Sequence, residues 1–217
     1  MPVRATRSGK QTREWILETA IKLFNKYGTQ AISTKRIAKE MGISPGNLYY
    51  HFKNKEEIIR AIMQDKFTGF VTGADNDQLP PLKRLLGLIN NVLLFWQEYP
   101  FSKKELVVLL KHDPELKKLY HGNKQEIFQK AMPLFQELVQ TKALQPQDDP
   151  YVFEALLTIS WIIAEYWLNF LDINDEPPTP ANLQKGITLI LQVWRPYFTQ
   201  KAVDELQQLN QPLTVMN

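Results

Sequence analysis

The sequence predicts an all-α protein. Three observations carry that expectation. Apolar residues recur at three- and four-residue spacing in almost every segment. Strand-like alternation is nearly absent. Prolines fall at the edges of the periodic runs, at 100, 114, 150, 177–180 and 196, with Pro133 the exception inside a run. With 217 residues and 44% hydrophobic content, the chain is long enough to bury a sizeable core.

The first periodic run, "REWILETAIKLFNKYG", sets Ile16, Ala20, Leu23, Phe24 and Tyr27 on one stripe and stops at Gly28. "STKRIAKEMG" is a short helix with Ser33 as N-cap. Ile37, Ala38 and Met41 are its buried face, and Gly42 is its terminator. "SPGNLYYHF" opens on Ser44 as N-cap with Pro45 at the first helical position, where a missing N–H costs nothing. Asn54 caps the next run, "NKEEIIRAIMQDKFTGFV". The turn-rich stretch 72–81 follows, then helical segments at 82–99, 102–111, 114–141, 151–171, 180–197 and 201–209. Pro133 is expected to kink or split the 114–141 helix. The tail after Gln211 is expected to fray.

Charge is distributed unevenly. Residues 1–60 carry twelve Lys/Arg against five Asp/Glu, a net +7. The remaining chain carries fourteen against eighteen, a net −4. A basic head on a slightly acidic body suits a polyanionic partner for the head. There is no cysteine, which excludes disulfides, thiolate metal sites and cysteine nucleophiles and suits a reducing cytosol. The N-terminal stretch lacks the apolar core of a signal peptide. The most apolar run, Ala155–Leu171, is interrupted by Glu165 and falls short of the about twenty residues of a membrane span.

Residues 33–52 have the anatomy of a helix-turn-helix: a short helix ending at a glycine, a three-residue turn, and a second capped helix. Leu48 and Phe52 anchor the second helix into a core set by Ile37, Ala38 and Ile43. Pro45, Gly46, Asn47, Tyr50 and His51 are then left to point outward, with Tyr49 at the flank. The first turn carries small groups, so its backbone can approach base edges closely. A tyrosine hydroxyl on a rigid ring is a good phosphate donor. Lys55 begins the next helix, whose N-terminal amides also favour an anion.

These segments resemble the TetR family of bacterial transcriptional regulators over about residues 13–63. The likeness rests on "ILETAIKLFNKYGTQAIST", "KRIAKEMGIS" and "GNLYYHFKNKEEII". It implies a three-helix DNA-binding head over 1–54 and a helical ligand-binding and dimerisation body over 55–217. It also implies DNA contacts at Thr34 and Lys35, at Ser44, Pro45, Gly46 and Asn47, at Tyr49, Tyr50 and His51, and at Lys55. The basic arm with Arg4, Arg7 and Lys10 is placed to reach a minor groove.

The body carries many aromatics. Trp96, Tyr99, Phe128 and Trp161, with the carboxylate Glu165, are candidates to line a site for a small apolar or amphipathic ligand. For each ring alone, plain core packing is the better account. A dimer through the last two long helices is implied by the resemblance, with Ile187, Ile190, Leu191 and Trp194 as the intersubunit face. Three histidines (51, 112, 121) lack metal spacing, and neither a phosphate loop nor a nucleophile elbow is present, so no cofactor and no enzymatic activity are expected. "HDPE" at 112–115 reads as a helix boundary, with Asp113 as cap. The expected function is a cytoplasmic, dimeric, ligand-responsive DNA-binding regulator, most simply a repressor. The alternatives are a DNA-binding factor without an inducer and a helical carrier or enzyme with a basic head.

Overall fold

The structure, a computed structural model, describes residues 9–72 and 78–208. Arg4 and Arg7 of the arm, the middle of the 72–81 stretch, Leu209 and the tail lie outside the described residues. Among the described residues there are eleven α-helices and no strand; a single antiparallel bridge joins Leu144 to Phe198. The chain divides into two compact units.

The first unit is Met1–Phe67 with Glu105–Leu119, so a division at residue 54 falls inside it. It holds α1 (Gly9–Tyr27), α2 (Thr34–Met41), α3 (Pro45–His51), most of α4 (Lys55–Thr72), α7 (Leu106–His112) and the start of α8 (Pro114–Gln140). α1 buries Ile16, Leu17, Ala20, Leu23 and Phe24, the expected stripe with one correction. Tyr27 is 41% exposed. At the last residue of the helix its ring lies under the Lys26 ammonium (5.0 Å) and the Arg36 guanidinium (4.7 Å) instead of entering the core. The core is completed by Ile37 and Ala38 from α2, Leu48 from α3, and Ile58, Ile59 and Ile62 from α4, all buried. Each buried leucine or isoleucine among them contributes about 1.5–3 kcal/mol by leaving water.

The expected 102–111 helix is two short ones, α6 (Pro100–Lys104) and α7, interrupted at Glu105. The interruption frees Glu105 for a long-range task. Its carboxylate accepts from the Thr29 backbone N–H (2.9 Å) and from the Thr29 hydroxyl. Gly28, at φ +76°, turns the chain there; a Cβ at this position would stand 2.9 Å from Glu105 Oε1. Asp113 caps α8 through the Leu116 N–H (3.0 Å) and pairs with Arg60 of α4 at 2.7 Å.

The second unit, Thr68–Lys104 with Tyr120–Asn217, holds α5 (Pro81–Glu98), α6, most of α8, α9 (Val152–Ile173), α10 (Pro180–Trp194) and α11 (Gln200–Gln208). Its core is built from Leu, Ile and aromatic side chains of these helices, with Trp96, Phe135 and Trp194 the largest fully buried groups. Buried indoles need acceptors for their N–H groups. Trp96 donates to the Ala164 carbonyl (2.7 Å), Trp194 to the Ser160 hydroxyl (2.8 Å) and Trp167 to the Asn182 carbonyl (3.0 Å). α10 closes tightly over these rings at Gly186, where a Cβ would lie 2.7 Å from both Trp167 and Trp96.

Pro133 does not split α8, which runs helical from Pro114 through Gln140. The lost hydrogen bond is outweighed by the burial of Ala131, Leu134, Phe135 and Leu138 around it.

Candidate nucleic-acid interface and the body cluster

The interface is built from caps. Ser33 accepts the Arg36 N–H (3.2 Å) and starts α2; Gly42, in the left-handed region at φ 65°, ends it. The chain then turns within three residues, and Ser44 accepts the Asn47 N–H (3.2 Å) to start α3 on Pro45. Ser44 accepts in the cap through its oxygen and keeps its own proton to donate. Leu48 and Phe52 are buried and fix the roll of α3. Ile43, expected in the same core, is only half-buried.

That roll leaves Pro45, Gly46, Asn47, Tyr49 and Tyr50 exposed, with Tyr50 the most so at 84%. A Cβ on Gly46 would meet nothing nearer than Ser44 Oγ at 3.9 Å, so the turn of α3 is open to a large partner. Thr34 and Tyr49 meet through their hydroxyls at 3.0 Å, and Lys35 is exposed beside them. His51 is half-buried, in edge contact with Tyr50 (5.1 Å), and Gly9 at the start of α1 lies alongside it.

Lys55 is engaged within the head. Its ammonium donates to the Thr29 carbonyl at 2.6 Å, which leaves two of its three protons for a phosphate. Asn54 accepts from the Glu57 N–H (2.8 Å), and Glu57 accepts in return from the Lys53 N–H (2.7 Å), so α4 opens on a reciprocal cap. The role of Thr29 was not legible in the sequence. Its N–H and C=O are held by Glu105 and Lys55, 76 and 26 residues away. No local pattern announces partners at such separations.

The body candidates separate into two groups. Trp96 and Tyr99 are core residues. Trp96 is spent on Ala164 and stacks near Trp167, while Tyr99 tilts against Phe95 at 5.0 Å. Phe128, Trp161 and Glu165 join a cluster. Trp161 meets Phe128 and Tyr120 edge-on, each at 6.0 Å, and its N–H donates to the Tyr120 hydroxyl oxygen at 2.9 Å. Glu165 Oε1 accepts from Lys103 Nζ at 2.6 Å, and both side chains are largely buried. The Lys103 ammonium also lies 4.9 Å from the centre of the Phe95 ring. Lys103 was missed because it stands in an exposed-looking "SKKE" run. Burial pushes the Tyr120 phenol well above its ordinary range, and the Glu165 charge adds to this, against the opposing Trp161 hydrogen bond.

The expected dimer face requires correction. Ile187, Ile190, Leu191 and Trp194 are at most 2% exposed and belong to the subunit's own core. They occupy the inner side of α10, turned toward α9 and α5. Of the two helices expected at the dimer, α9 carries the exposed apolar stripe: Ile159, Ile162, Tyr166, Phe170 and Ile173, at spacings of three and four. By length and composition alone α9 is also able to cross a membrane. Its largely buried charge pair at Glu165 argues for a protein-covered position.

The description "Bacterial regulatory proteins, tetR family" matches residues 16–62, and "Bacterial transcriptional repressor" matches residues 63–206. A helix-turn-helix transcriptional regulator of Staphylococcus aureus (strain USA300) is 42% identical over 66 residues, 30% of this chain and 36% of that protein. A TetR-family regulator from Marinobacter aquaeolei VT8 superposes with a TM-score of 0.78 at 29% identity, over 91% of this chain and 96% of the other. A transcriptional regulator from Saccharomonospora viridis, solved in complex with choline, shares the fold with a TM-score of 0.72 at 16% identity, over 86% and 96%. With matches running from the capped helix-turn-helix into the tryptophan-filled body, this chain belongs to the TetR family of DNA-binding bacterial transcriptional regulators.

Proposed function

We propose that the protein is a cytoplasmic, homodimeric repressor that grips an approximately palindromic operator and is released by a small molecule bound in its body. The observation that carries this reading is the exposed first turn of α3, flanked by the paired hydroxyls of Thr34 and Tyr49. Lys35, Asn47 and Tyr50 are the base-reading candidates. Thr34, Tyr49, His51 and Lys55 orient the head on phosphates. The α9 stripe supports two-fold association, since an uncovered row of large apolar side chains is costly in water. The choline-bound relative shows that a chain of this fold takes a small molecule, which supports ligand control here. Control then requires the ligand to favour one arrangement of the heads by a coupling on the order of 1–3 kcal/mol.

The test is selection of genomic fragments by the purified full-length protein at low and moderate salt, repeated with fractionated metabolite extracts. The expected result is enrichment of a two-fold-symmetric site, with release by a subset of fractions. Failure to enrich any duplex at low salt would overturn the DNA-binding part. Enrichment that no fraction disturbs would overturn the inducer part.

A further inference from the structure

We infer that the body selects a neutral, ring-bearing molecule through one hydroxyl group, held between Tyr120 and Glu165. This rests on the reading above that the body takes a small ligand, and it names the ligand's chemistry. Two observations point to it. Glu165 Oε1 is satisfied by Lys103, but its second oxygen, Oε2, is shielded from solvent and has no hydrogen-bond partner among the described residues. A carboxylate oxygen in that state is a strong acceptor in want of a donor. The Tyr120 hydroxyl accepts the Trp161 N–H, so its own proton remains to be donated. That proton is retained, because burial and the Glu165 charge both disfavour the phenolate.

The two unmet groups are complementary to one kind of ligand atom. An alcohol or phenol oxygen accepts from Tyr120 and donates to Glu165 at once. An ether or ketone can accept but leaves Glu165 unmet. A carboxylate is repelled by Glu165. An ammonium can donate but cannot accept from Tyr120, and because Lys103 already neutralises Glu165, it would add a net charge to a buried site. The ring requirement follows from the neighbours: Trp161, which donates to the Tyr120 hydroxyl and stands one helical turn before Glu165 on α9, meets both Tyr120 and Phe128 edge-on, so the surroundings of that hydroxyl are aromatic.

The experiment is calorimetric titration of the full-length protein with 4-methylphenol and with 2-naphthol, each beside its methyl ether. The phenols are expected to bind at least about tenfold more tightly than the ethers, the ratio that one charge-assisted hydrogen bond supplies. Tyr120→Phe and Glu165→Gln should each remove most of that preference. Because Glu165→Gln also deprives Lys103 of its counter-charge, its fold is checked by thermal melting; Tyr120→Phe removes a single hydroxyl and serves as the second variant. The assignment is overturned if neither phenol binds, if phenols and ethers bind alike, or if both variants bind like the parent. Phenol binding that leaves operator affinity unchanged keeps the hydroxyl site and removes ligand-controlled release instead.

Discussion

The hydroxyls of Thr34 and Tyr49 stand 3.0 Å apart, so the first residue of α2 is tied to the middle of the recognition helix. A phenol held this way can accept from Thr34 while donating its proton outward to a phosphate. Tyr49→Phe and Thr34→Val are therefore expected to weaken binding to operator and random duplexes alike, by about 1.5–3 kcal/mol for the tyrosine if it donates to a phosphate. The threonine change should cost less, and the double variant less than the sum, since the residues act as a pair. Unchanged gel-shift affinity for Tyr49→Phe on both duplexes would rule out this contact.

Asn47 is different in kind, because it lies in the open first turn beside Gly46. Asn47→Ala should narrow the gap between operator and random DNA by about 1–3 kcal/mol. Competition titrations at one salt concentration measure the ratio. An unaltered ratio removes Asn47 from the base-reading set.

Lys55 and Glu105 hold the two backbone groups of Thr29, which is itself buried. Glu105→Ala strips the acceptor from a buried N–H and should lower stability to urea by about 1–3 kcal/mol. Lys55→Ala should cost about 1 kcal/mol of stability. It should also reduce the salt slope of DNA binding by about 1 if its remaining protons face phosphate. A stability loss with an unchanged slope would confine Lys55 to seating Thr29.

Much of the head was legible because its determinants are local. Caps at Ser33, Ser44 and Asn54, the turn glycine Gly42 and the spacing of Leu48 and Phe52 all act within a few residues. The body was less so. Helical period tells that α10 has an apolar stripe but not which neighbour covers it, so Ile187, Ile190, Leu191 and Trp194 pointed equally well to a partner subunit and to the subunit's own core. The break at Glu105 was hidden for the same reason: the group its carboxylate holds, Thr29, is far away in sequence.

The faces of α9 and α10 yield a contrast. Ile162→Asp with Phe170→Asp should give soluble, folded monomers, because both positions already face water in the single subunit. Ile190→Asp with Trp194→Asp should instead unfold the body, since each places a charge in the core. Sedimentation and far-ultraviolet circular dichroism distinguish the two. Folded dimers from the first pair would show that α9 is not the interface.

Two tyrosines should stand apart in a spectrophotometric titration at 295 nm. Tyr27, under Lys26 and Arg36, should ionise ahead of the ordinary phenols, and Tyr120 after them. Tyr27→Phe should remove the earliest transition and Tyr120→Phe the latest. The sign for stability follows for Tyr120: its folded value lies above the unfolded one near 10, so its contribution is intact below about pH 10 and falls as pH rises beyond it. If neither variant changes the titration, these environments are wrong.

The hydrogen-bonded indoles also decide what light can report. The chain has five tryptophans; Trp15 alone is in the first unit, and 96, 161, 167 and 194 are in the second, each with its N–H committed to an oxygen. Intrinsic emission is thus mainly a gauge of the body, with Trp15 the one indole that reports on the head. Replacing Trp15 by phenylalanine makes the body the sole emitter. An unfolding curve followed by fluorescence and one followed by helicity will then coincide only if the two units melt as one.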